Sequence, residues 1–171
     1  MKRDYVEFQD RSIPIGYFIT FRTFGSWLHG DKRGSMDRRS FSRFGGSARP
    51  PNESLRKSDL KMSRSSAFRM NKRQRQITES AIAQVCTYMT VALYALNARS
   101  NHVHVVVSCA GYKPEKLMTA FKAYSTRALR SAGVVSGSDK LWSRHGSTKY
   151  LWTAEQINEA VAYVKYEQGE N

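Results

Sequence analysis

Cysteine is nearly absent from this chain. Cys86 and Cys109 are the only two, at no metal-ligand spacing, so no disulfide framework is expected. Nowhere does the sequence approach the ~18 consecutive apolar residues that a membrane-spanning helix requires, which leaves a membrane out of the expected partners. Acidic residues are scarce as well: 14 Asp and Glu stand against 28 Lys and Arg, a formal charge of +14 at pH 7 and a pI near 10.1. An excess of that size points to a polyanionic partner, most often a nucleic acid. The first residues, MKRDYVEFQDRS, carry charges throughout and lack the apolar core of a secretory signal, so a cytoplasmic location is expected. What is present is enough for a core. With 40% hydrophobic and 12% aromatic residues over 171 positions, the chain is the size of one domain and too apolar to be disordered as a whole.

The positive charge is concentrated. Residues 31–76 hold fourteen basic and four acidic side chains, a net of +10, in a Ser-, Gly- and Arg-rich stretch that includes Pro50–Pro51. No apolar period runs through most of it. The chain therefore reads as a single domain over residues 1–171, interrupted by an irregular basic insertion at about 25–70. Such an arm either floats as a solvated tether or neutralises phosphates. Arg38, Arg39 and Arg43 are its phosphate candidates, and Phe41 and Phe44 among them suit stacking on unpaired bases. Outside the arm, Arg22, Lys122 and Arg127 are the basic residues placed to meet nucleic acid.

Seven elements follow from the apolar patterning. Gly16–Phe24 is rich in aromatic and β-branched residues and reads as a strand. In Lys72–Thr87, Ile77, Ala81, Ile82 and Val85 recur at helical spacing. Val91–Ala98 and His102–Cys109 read as two strands joined at Ser100–Asn101. Pro114–Ser131 reads as a helix with Pro in its first turn and Gly133 past its end. Lys149–Trp152 reads as a short strand, with the Gly- and Ser-containing segment around His145 before it as loop. A last helix runs to about Gln168, capped by Thr153 with Gln156 three residues on. The order β-α-β-β-α-β-α predicts an α+β, ferredoxin-like (split β-α-β) antiparallel sheet with helices on one face, plus a C-terminal helix.

The stretch Asn101-His102-Val103-His104-Val105-Val106-Val107 carries the chemistry. Side chains alternate along a strand, so His102 and His104 share one face and Val103, Val105 and Val107 the other. The valines fit a packed face and the histidines an open one. Two imidazoles at i and i+2 grip one divalent ion and leave positions for further ligands. In the C-terminal helix, Tyr163 and Glu167 are four residues apart and lie on one face. Glu167 would complete a two-His, one-carboxylate set, and Gln168 is the other candidate ligand. Taken singly, each of these residues is also an ordinary surface side chain.

The set of motifs GYFITFRTFGSWLHGD, NHVHVVVS, LWSRHGSTKYLW and AVAYVKYEQG, in this order, resembles the HUH single-tyrosine transposases, in particular their REP-associated tyrosine transposase branch. These segments are spread along the chain from Gly16 to Gly169, on both sides of the basic insertion. The resemblance matches His102, Val103 and His104 to the family's His-U-His pair (U a bulky apolar residue) and Tyr163 to its catalytic tyrosine. Family members often carry Asn or Gln four residues after that tyrosine, where this chain has Glu167, followed by Gln168. The resemblance implies an enzyme that cleaves and rejoins single-stranded DNA through a 5′-phosphotyrosine. It also implies magnesium or manganese as the ion, a hairpin-containing strand as partner and a possible homodimer, with the site completed in cis or in trans. A non-catalytic single-strand DNA or RNA-binding module on the same fold is the alternative expectation.

Overall fold

The structure is a computed structural model that describes residues 13–26 and 67–166. Residues 27–66 of the basic insertion, with Arg38, Arg39 and Arg43, lie outside the described residues, as do Glu167 and Gln168. The elements are β1 (Gly16–Thr23), α1 (Lys72–Tyr88), β2 (Leu93–Ala98), β3 (His102–Ser108), α2 (Pro114–Ser131), β4 (Trp142–Leu151) and α3 (Ala154–Tyr166). The four strands form one antiparallel sheet in the order β2-β3-β1-β4. That is the split β-α-β plan, with each helix crossing back over the sheet.

The main core follows the two-residue period of the inner strands. Tyr17, Ile19 and Phe21 of β1 and Val103, Val105 and Val107 of β3 all point to one face. There they meet Ile82, Val85 and Cys86 of α1 and Leu117, Met118 and Phe121 of α2. α1 starts at a capping box: Asn71 Oδ1 accepts from Gln74 N, and Gln74 Oε1 accepts from Asn71 N, both at 2.9 Å. Two thiols test this packing. Burial pushes the Cys86 thiol up to about 11, so very little of it is the reactive thiolate at pH 8. Folded protein is expected to leave Cys86 unlabelled by iodoacetamide at pH 8, with half-buried Cys109 labelled first. Denaturant should release Cys86, as peptide mapping would show; rapid native labelling of Cys86 would contradict the packing described here.

The opposite face of the sheet is not open. A second, smaller cluster joins Phe18, Ala95, Val106 and Leu151 to Ile157, Ala160, Val161 and Val164 of α3. Val106 breaks the simple division of β3 into packed valines and open histidines, because it shares the histidine face and is fully buried. Gly16 allows the close approach: a Cβ there would sit 2.7 Å from the Val107 carbonyl oxygen and 3.3 Å from Ile157 Cδ1.

β4 is longer than its sequence predicts. It runs ten residues as an edge strand, most of them exposed, and a register irregularity opposite Phe21–Thr23 takes up extra residues. His145 thus lies in a strand rather than a loop. Trp142 is half-buried, with its ring edge-on to Phe21 and its Nε1–H shared between the Lys122 carbonyl and Thr126 Oγ1. Only Trp152 and Thr153 separate β4 from α3. Thr153 Oγ1 accepts from Gln156 N, while Gln156 Oε1 accepts from Trp152 N at 2.7 Å, so both link residues are tied to the first turn. Among the described residues, no helix is long and apolar enough to cross a membrane.

Candidate active site

Strand register builds the site row by row. On the face covered by α3, Ala95, Val106 and Phe18 stand side by side on β2, β3 and β1. The next row is Asn97, His104 and Thr20, and the row after it pairs His102 with Arg22. The surface thus passes from apolar to polar to cationic over three rows. The buried stripe of α3 sits on the apolar row, and its C-terminal end reaches the polar one. There Asn97 Nδ2 donates to the Val164 carbonyl oxygen at 3.1 Å, pinning the last turn to the sheet.

Tyr163 is thereby placed against His104 of its own chain. Its ring centroid lies 5.7 Å from that of His104, edge-on, and 5.9 Å from that of Phe18. His102 and His104 stand 4.6 Å apart, centroid to centroid. Phe18 closes the inner side at 5.4 Å from His104. His104 is 7% exposed, whereas Tyr163 is 38% exposed, so the phenol borders solvent while its imidazole neighbour is buried.

The Nδ1 atoms of both imidazoles are held. Thr20 Oγ1 is 2.8 Å from His104 Nδ1, and Asn101 Oδ1 is 2.6 Å from His102 Nδ1. A ring fixed at Nδ1 presents Nε2 as its ligating nitrogen. Two oriented imidazoles with a half-exposed phenol beside them fit a divalent ion of the manganese or magnesium kind that keeps several oxygen ligands. Among the described residues, no group of three His, Cys, Asp or Glu side chains is placed to hold an ion.

The remaining predicted contacts divide by face. Arg22 is on the histidine side, one row from His104. Lys122 and Arg127 are on α2, across the sheet. Lys122 Nζ donates to the carbonyls of Ser143 and His145, at 2.9 and 3.2 Å, and burial lowers its pKa. It thus ties down the irregular part of β4. Arg127 lies over the Tyr124 ring at 4.4 Å, beside a groove of about 630 Å³ between α2 and β4 that Arg130 and Arg144 also line. Sequence reading missed Phe18, Thr20 and Asn97 as site neighbours. The alternation of β1 does place Phe18, Thr20 and Arg22 on one face, but only the pairing of β1 with β3 says which residue each one meets.

Comparison with known proteins bears on identity. No curated protein matches the chain. The fold is similar to a solved structure of the REP-associated tyrosine transposase bound to a REP hairpin, at 13% identity and a TM-score of 0.49, over 96% of this chain and 69% of that one. It is also similar to a structure from Deinococcus radiodurans R1 described as a candidate transposase, at 11% identity and a TM-score of 0.44, over 99% and 98% of the two chains. The family model described as "Transposase IS200 like" matches residues 61–166, well over half of the chain and every element after β1. By that match the chain belongs to the IS200-like transposases, a family of DNA-processing enzymes.

Proposed function

We propose that this protein cleaves and rejoins single-stranded DNA, with Tyr163 as nucleophile and a divalent magnesium or manganese ion held by His102 and His104. One observation carries the reading: the Tyr163 ring lies 5.7 Å from His104 within a single chain, at the end of a helix pinned to the sheet. When bound, the ion would polarise the scissile phosphate and stabilise the charge that grows on it. Tyr163 Oη loses its proton to solvent and attacks phosphorus. The bond from phosphorus to the 3′ oxygen breaks, and that oxygen leaves as a hydroxyl after taking up a proton. The 5′ phosphate remains as an ester of Tyr163. Attack by a 3′-hydroxyl reverses the sequence and returns the phenol, so rejoining needs no nucleotide cofactor. Glu167 and Gln168, four and five residues after Tyr163, are the candidates for a third ligand.

The basic residues hold the strand. Arg22 stands beside His102, next to where the phosphate would sit. Arg38, Arg39 and Arg43 of the insertion, and Arg127 on α2, add charge along the bound DNA. Binding is therefore expected to weaken steeply with salt. The decisive experiment incubates the full chain with end-labelled, hairpin-bearing single-stranded DNA and Mn²⁺ or Mg²⁺. A covalent protein–DNA band on a denaturing gel is expected, abolished by EDTA and restored by excess Mn²⁺. Tight binding without any cleavage product in either ion would replace this reading with that of a binding module.

A further inference from the structure

We infer that Thr20 and Asn101 are positioning residues that fix the orientation and tautomer of the two histidines before any ion arrives. The inference rests on the metal reading above and concerns this chain's own hydrogen bonds. The two contacts come from different places. Thr20 lies directly opposite His104 in the register of β1 and β3, whereas Asn101 is the turn residue next to His102 in the chain.

The chemistry of the partners decides the tautomer. An amide oxygen only accepts, so at 2.6 Å from Asn101 Oδ1 the His102 Nδ1 must carry the hydrogen. Its lone pair is then on Nε2. A threonine hydroxyl accepts as well as donates. At 2.8 Å from His104 Nδ1 it is within reach to take that hydrogen; on our inference it does, which puts the second lone pair on Nε2 too. Neutral imidazole in water favours the other tautomer, with hydrogen on Nε2. Both rings are therefore held in the form that binds an ion through Nε2. The site meets its metal already arranged, and ordering costs that would otherwise weaken binding fall away. Phe18 and Tyr163 pack against the His104 ring and limit its rotation, alongside the Thr20 contact.

Two readouts test this without relying on turnover. The first is the ¹⁵N shift of each Nδ1 in metal-free protein at pH 8, where an unperturbed imidazole is neutral. Parent protein should show both Nδ1 atoms bearing hydrogen. Thr20→Val should move His104 alone toward the opposite tautomer, and Asn101→Ala should move His102 alone. The second readout is Mn²⁺ affinity by calorimetry. Each substitution should lower it about 10–100-fold, the usual cost of losing a partner behind a metal-ligating histidine. Thr20→Ser and Asn101→Asp keep the acceptor and should restore both signals, which a merely structural role would not predict. Circular dichroism melts confirm that the variants fold. If Thr20→Val and Asn101→Ala leave both Nδ1 shifts unchanged, the inference is overturned. Parent protein that takes up no Mn²⁺ would overturn the metal reading, while the shift comparison would still decide whether Thr20 and Asn101 set the tautomers.

Discussion

Tyr163→Phe is expected to bind single-stranded DNA as the parent does and to form no covalent adduct. The change removes one oxygen from a side chain that is 38% exposed and leaves its ring against His104 and Phe18. Packing is kept, so the melting temperature should hardly move. The proposed nucleophile is gone, however, and the loss should be at least ~10³-fold, the scale expected when a covalent step loses its attacking group. Among the described residues, Tyr166, three residues on in the same helix and 80% exposed, is a second phenol to be asked about. Peptide mapping of the parent adduct distinguishes the two. Label on Tyr166, or an adduct that survives in Tyr163→Phe, would move the chemistry off the residue facing the histidines.

The second large effect concerns the histidine pair and the chain it serves. His102→Ala with His104→Ala should abolish metal-dependent cleavage, a loss of several powers of ten, with strand binding retained because the basic residues are untouched. Mixing this variant with Tyr163→Phe asks whether a site can be shared. A two-residue link joins β4 to α3, and the Asn97 bond holds the far end of α3 on its own sheet. On the proposed mechanism, with Tyr163 facing His104 of its own chain, the mixture is expected to stay inactive. Activity recovered in the mixture would mean that α3 leaves its sheet for a second copy. That result would assign the cis arrangement to one state of the protein only.

How legible these features are in the sequence depends on the distance over which their causes act. α2 runs from Pro114 to Ser131, the same limits its local signals give, because a proline start and an apolar stripe are written within eighteen residues. The histidine pair is equally local: a period of two puts His102 and His104 on one face wherever the strand lies. β4 is different. An exposed edge strand needs no apolar alternation, and Arg144, His145, Gly146 and Ser147 give none. It forms because β1 offers it a partner, which no local signal records. Thr20 is hidden for the same reason. Its contact with His104 spans 84 residues and depends on strand register. The cover over the histidine face follows from α3 folding back across β3, which Val106 alone foreshadows.

The short link between β4 and α3 has a consequence for what happens after a strand is cut. If the 5′ phosphate is esterified to Tyr163 as proposed, the severed end is moored to a helix whose first turn is tied to the two-residue link from β4 through Thr153 and Gln156. A moored end cannot diffuse away. A 3′-hydroxyl delivered to the site meets the phosphorus at a high effective concentration, as in an intramolecular reaction. On the proposed mechanism, the link makes breakage of a genomic strand a reversible event rather than an injury. Lengthening it with a few flexible residues should raise the fraction of cut strands that are never resealed.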